Sequence, residues 1–124
     1  MAIDPGSVRR GAVVLVRLPG DKPRPAVVVR SDLLAGLTYA TVLPVTTELR
    51  TDAEDLRIDL VPGLETGLRE ASQVMVDWPQ TVRLERMGEV VGQINAATMR
   101  RITRQVAFVL GIGANAARRS SPSR

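Results

Sequence analysis

At 124 residues the chain has the length of a single domain, long enough to bury roughly two-thirds of the surface its unfolded form exposes. It contains neither cysteine nor histidine. That excludes disulfides and thiolate metal sites, and it removes the commonest general base and transition-metal ligand. Sixteen of its seventeen basic residues are arginine and the formal charge is +4, a balance that suits phosphate, which the planar guanidinium binds through two donors at once. Charge alone decides little, because arginine richness also follows from codon usage.

Acid–base chemistry in such a chain must come from Arg, Lys, Asp, Glu, Thr, Ser or the single Tyr39. No apolar run approaches the ~20 residues needed to span a bilayer. The opening MAIDPGS has no apolar signal core, and Gly6-Ser7 reads as a cloning remnant. A cytoplasmic location, with no membrane contact, is the expectation.

In chain order, residues 1–10 read as a flexible arm ending in Arg9-Arg10, residues 11–113 as the domain, and residues 114–124 as a small, polar, disordered basic tail. Residues 12–18 (AVVLVRL) and 24–31 (RPAVVVRS) read as Val-rich strands separated by a Pro- and Gly-containing loop. Pro25 confines the second strand to an edge, a start or a bulge at that point. Residues 39–46 (YATVLPVT) form a third strand broken by Pro44, and a polar loop follows. Residues 56–61 alternate as a half-buried strand, residues 71–77 form another, and 82–84 with 88–91 read as two short strands.

The period then becomes helical. Met99, Ile102, Val106, Val109 and Leu110 share a face over 95–111, with Asn95 as N-cap and Gly111 and Gly113 as the stop. Arg100, Arg101 and Arg104 fall largely on the solvated face. Several short strands followed by one amphipathic helix imply a mainly β protein: a small, strongly twisted barrel or two-sheet structure packed by a C-terminal helix.

Three segments carry candidate chemistry. In Lys22-Pro23-Arg24-Pro25 an arginine stands where a loop becomes a strand, between two prolines that stiffen its backbone. A stiff mount is what electrostatic catalysis asks of a guanidinium; a solvated turn arginine is the plainer reading. Pro44-Val45-Thr46-Thr47 ends a strand with two hydroxyls able to donate to phosphate, although threonine is also ordinary strand filler. In the segment from Ser72 to Thr81, alternation puts Val74 and Val76 on one face and Gln73, Met75 and Asp77 on the other. Ser72 need not be buried, and Gln73 and Asp77 are placed to read base edges or accept from a ribose. The sole tryptophan, Trp78, reads as packing against the core or a dimer partner rather than stacking on a base. Asp52, Glu54 and Asp55 read as a solvated acidic stretch without calcium-site spacing. The chain has no phosphate-binding glycine loop, no dinucleotide fingerprint, no H-E-x-x-H pair and no nucleophile elbow.

Taken in order, the G-x-V-x-x-V opening at Gly11, Arg-Pro-Ala-Val-Val at 24–28, Leu43-Pro44-Val45-Thr46-Thr47, Gly67, the 72–81 segment and a helix closing in Leu-Gly resemble the MazF/PemK toxin ribonucleases. The resemblance covers nearly the whole domain. It implies an SH3-like barrel with a C-terminal helix, related in fold to the CcdB toxins and assembled as a homodimer. It implies the toxin of a type II toxin–antitoxin system, which cuts single-stranded RNA without metal or other cofactor and is neutralised by an acidic, partly disordered antitoxin. It places the catalytic arginine at Arg24 and its partner threonine at Thr46. Asp77 matches an acidic position of the PemK branch, but that branch has an arginine where this chain has Met75, which shifts weight to Arg24. Asp21, Lys22, Thr47, Ser72 and Gln73 are the expected RNA-binding residues. The general base stays open between Asp77, Asp21 and solvent. Two other readings are a toxin of the same fold that poisons a protein such as gyrase, and an RNA-binding adaptor without chemistry.

Overall fold

A computed structural model describes residues 3–113; the expected disordered tail at 114–124 lies outside the described residues. Seven strands and one helix follow each other in the order β1 (Ala12–Val16), β2 (Arg24–Val28), β3 (Tyr39–Thr46), β4 (Arg57–Leu60), β5 (Ser72–Met75), β6 (Gln80–Arg83), β7 (Met87–Gln93) and α1 (Ala96–Val109). All pairings are antiparallel, and the strands lie in the order β4-β5-β3-β2-β1-β7, with β6 on β3.

The Val-rich runs of β1, β2 and β3 are continuous because both faces of these strands are covered. One face presents Val13, Val27, Leu43 and Val45 to Met99 and Ile102 of α1 and to Ile58, Val74 and Val76. The other presents Val14, Val16, Ala26, Val28 and Val42 to Val82, Met87, Ile3 and Val8. Each fully buried aliphatic side chain contributes about 1.5–3 kcal/mol relative to exposure, so two thin cores replace one thick one.

Ile3 and Val8 correct the expectation of a flexible arm. Ile3 and Val8 anchor the N-terminal segment in the second core, and the buried Arg30 donates to the Val8 carbonyl at 2.6 Å. Arg10 adds bonds to the Val29 carbonyl (2.6 Å) and to Thr103, and its own N–H goes to Asp32. Two isolated apolar residues show no periodicity, which is why the segment reads as an arm.

Pro44 falls where β3 changes partners, between its pairing to β6 (residues 39–42) and to β5 (residues 45 and 46). A residue without an N–H fits that gap. The barrel expectation needs one refinement: the sheet does not close by strand pairing, because β4 and β7 end the ladder. A loop stitches the two ends instead. The Gln93 N–H donates to the Glu65 carbonyl at 2.7 Å, and the backbones meet so closely that a Cβ on Gly92 would lie 2.1 Å from the Thr66 carbonyl. Gly67, at φ +73°, approaches Val91 in the same way. The sequence reading of 82–84 and 88–91 as short strands holds in kind, though the strands are longer. The helix begins at the expected cap, with Asn95 accepting from the Thr98 N–H at 2.8 Å. Leu110, expected on the buried face, caps the helix and is exposed.

Candidate functional site

Arg24 opens β2, directly across from Val16 of β1. On its other side β2 pairs β3 with Ala26 opposite Pro44 and Val28 opposite Val42. The ladder ends at that Ala26–Pro44 pair; extended by two residues, its register points Arg24 toward Thr46. Thr46 in turn faces Gln73 of β5, and Gln73 faces Asp59 of β4. Side chains of directly opposed residues share a face. The register therefore makes a row Thr46–Gln73–Asp59 across β3, β5 and β4, and the extended β2 register adds Arg24 at its end, giving the row Arg24–Thr46–Gln73–Asp59. It lies on the face that holds Ala26, Val28 and Val42 further along.

The row is uneven. The Arg24 side chain is 61 % exposed and its Nη2 stands 3.5 Å from the Asp21 carboxylate. Asp21 also accepts from the Lys22 N–H at 2.8 Å. That backbone bond, followed by the Arg24 guanidinium, holds its carboxyl below the usual aspartate value. Lys22 and Thr47 are exposed. Thr46 is half-buried, and its hydroxyl accepts from the Glu48 N–H at 3.0 Å, which fixes the oxygen at the start of the following loop.

Gln73, expected to read bases, is instead 6 % exposed and fully engaged. Its carbonyl oxygen accepts from the Arg50 N–H (2.9 Å), and its amide nitrogen donates to the Arg50 carbonyl (3.0 Å) and to Asp59 (2.9 Å). Ser72 is buried as well and donates to the Glu70 carbonyl at 2.9 Å. Both are corrections: these polar groups are spent inside the fold. Asp77 lies in the turn between β5 and β6, half-buried, and its Oδ1 is buried without a hydrogen-bond partner. Trp78 is 53 % exposed, so it does not cap this chain's own core.

Sequence reasoning missed Arg50. Its guanidinium grips Asp52 with two bonds, at 3.1 and 3.0 Å. Asp52 first, and Asp77 more weakly, hold it firmly protonated. Arg50 lines a groove of about 620 Å³ together with Arg57, Asp59, Gln73 and Arg101. Neither Arg24 nor Thr46 lines that groove, which lies on the β4 side of Gln73. The clasp joins residues 23 apart in sequence, and no local pattern reports it.

The sequence pattern of the PemK-like, MazF-like toxins of type II toxin–antitoxin systems matches residues 9–110. The chain belongs to this family. A relative described as a probable endoribonuclease MazF, from Mycolicibacterium smegmatis, is 34 % identical over 108 residues, which are 85 % of this chain and 98 % of that one. The Mycobacterium tuberculosis toxin MazF-mt6 is similar in structure, with a TM-score of 0.66 and 26 % identity over 82 % of this chain and 98 % of its own. A mycobacterial endoribonuclease in complex with its cognate antitoxin superposes with a TM-score of 0.70, at 23 % identity, over 85 % of this chain and 96 % of that chain. The seven-stranded sheet with its C-terminal helix is thus the MazF fold.

Proposed function

We propose that this toxin is an endoribonuclease that cleaves single-stranded RNA at short sequence motifs, leaving a 2′,3′-cyclic phosphate and a 5′-OH, with Arg24 as its central group. The observation that supports this reading is the β2–β3 register, which, extended two residues past Ala26–Pro44, points Arg24 toward Thr46. The MazF relative, alike over nearly its whole length, supports it.

The chemistry follows from the substrate. The RNA 2′-OH attacks the adjacent phosphorus, the P–O5′ bond breaks, and the protein aligns the groups, stabilises charge and moves two protons. Arg24 is stiffened by Pro23 and Pro25 and mostly exposed. It stabilises the equatorial oxygens of the phosphorane, a contribution that typically reaches 10²–10³-fold in rate per donor. Thr46 orients the scissile phosphate. Asp21, ionised beside Arg24, accepts the 2′-OH proton, and as the P–O5′ bond breaks the departing oxygen takes a proton from water held at the Arg24 guanidinium, giving the 5′-OH. The nucleophile belongs to the substrate and the guanidinium supplies the electrostatic term, so the mechanism is metal-independent.

The same reading places the protein in the cytoplasm with its RNA and an acidic antitoxin. It also makes the toxin a homodimer. Leu34 and Leu110 line a mainly apolar hollow of about 330 Å³ with Val29, Val106 and Pro79. Trp78 stands exposed beside Pro79, and a second copy covers this surface. Sedimentation at micromolar concentration shows a dimer; a monomer alone rejects that assignment.

The deciding experiment incubates the purified toxin with a defined single-stranded RNA in EDTA and maps both new ends. Cleavage with a cyclic phosphate and a 5′-OH is the expected result. An intact RNA, together with inhibition of a protein target, would instead favour a non-enzymatic toxin.

A further inference from the structure

The loop after β3 holds an arginine site that the cleavage chemistry does not use. Gln73 clasps both backbone groups of Arg50, so the loop is anchored where the guanidinium leaves it. Arg50 then presents its Nε and Nη2 side by side to Asp52, the two-donor geometry that also fits a phosphate. Asp52 is held well ionised, first by its bonds to Arg50 and then by a backbone N–H, so the carboxylate that Arg50 grips carries full charge. Arg57 lines the same groove as Arg50, and Arg101 of α1 joins them. Of the groove's own acids, Asp59 is engaged by Gln73, and Glu54 is exposed.

We propose that Arg50 and Arg57 form a second phosphate-binding point for single-stranded RNA, and that Asp52 occupies it in the free protein as a displaceable stand-in. This rests on the endoribonuclease reading. Gln73 is the register partner of Thr46, so the clasp is one strand from Thr46 and two from Arg24. At 4.7–4.9 Å per strand, two strands separate the β2 and β5 backbones by roughly 10 Å. A chain whose scissile phosphate lies at Arg24 and Thr46 sets a flanking phosphate on Arg50. The Arg50–Asp52 pair is solvent-exposed, 54 % and 70 % at the two side chains, and an exposed pair adds little net stability. Exchanging the carboxylate for a phosphate keeps the guanidinium bonds and swings Asp52 into water. The exchange, rather than simple addition, keeps the groove's charge balanced.

The test uses a 5′-labelled RNA with a single 2′-deoxy nucleotide at the mapped cleavage position, and reads its affinity by anisotropy across a salt series. Arg50→Ala weakens binding roughly three- to tenfold and lowers the slope of log affinity against log salt by about 0.7, the loss of one phosphate contact on a single strand. Its effect on cleavage of the unmodified RNA falls in KM rather than kcat. Arg50→Lys restores the slope but not the full affinity. Asp52→Asn removes the stand-in and tightens binding at low salt, which a merely structural Asp52 does not do. Gln73 is a positioning residue: Gln73→Leu weakens RNA binding, yet adds no further loss to Arg50→Ala. Should Asp52→Asn fail to fold, Asp52→Ser serves in its place. Weaker or unchanged binding in the folded Asp52 variant overturns the proposal, as does an Arg50→Ala protein with the parental slope and KM. A parental protein that neither binds nor cuts RNA overturns the endoribonuclease reading itself.

Discussion

The two ends of the row Arg24–Thr46–Gln73–Asp59 carry similar residue types and opposite physics. At the β2 end, Arg24 is mostly in water and touches a single loop carboxylate. At the β5–β4 end, Gln73 is buried and every polar atom of its amide is bonded. A side chain whose bonds are already made inside the fold cannot turn to a ligand without leaving groups unpaired, whereas an exposed guanidinium on a stiff backbone can. The proposed catalytic group therefore sits at the loosely bonded end, and at the other a buried amide serves as framework for the loop that carries Arg50.

That contrast can be broken at each end. Arg24→Ala has the largest expected effect: cleavage falls about 10³-fold, while thermal stability stays within about 0.5 kcal/mol of the parent, as for other exposed positions. Rates under single turnover, with a melting curve on the same sample, check both halves. Gln73→Leu has the reverse signature. It leaves the Arg50 N–H, the Arg50 carbonyl and Asp59 without their partner, and stability drops by about 1–3 kcal/mol, read as a lower midpoint in urea. Thr46→Val keeps the shape and removes the hydroxyl, and cleavage slows about tenfold with an unchanged midpoint.

The smallest effect concerns pH. Asp21 and Asp52 are both held below the ordinary aspartate value. Their contribution to stability is present above the unfolded aspartate pKa of about 3.9 and is lost as pH falls through their lower folded values. Both are exposed, so the acid limb is shallow. The chain has no histidine, the side chain whose ordinary pKa falls near neutrality. A kcat/KM profile flat between about pH 5.5 and 7.5 agrees with Asp21 as base; an inflection near pH 6.5 contradicts it.

Much of the fold was legible because its signals are local. The Val runs of β1, β2 and β3 are unbroken since both faces are buried, and Asn95 and the helical spacing mark α1. Arg24 stood out for the same reason, through its two flanking prolines. Ser72 and Gln73 misled because their burial depends on β4 and on the loop after β3, partners brought in by long-range pairing. Arg50 lay hidden behind the same clasp. Asp52 reads as one acid in a solvated stretch, and only the folded loop shows which arginine it meets. The seam at Gly67 and Gly92 was equally invisible, since a close backbone approach leaves no trace beyond the glycines themselves.

In the proposed mechanism Arg24 assists an attack made by the RNA itself. It is tested most directly by replacing the 2′-OH with hydrogen at the one nucleotide where the parental protein cuts. The protein is expected still to bind this RNA and no longer to cut it there. Cleavage at the deoxy position at an undiminished rate would contradict the mechanism.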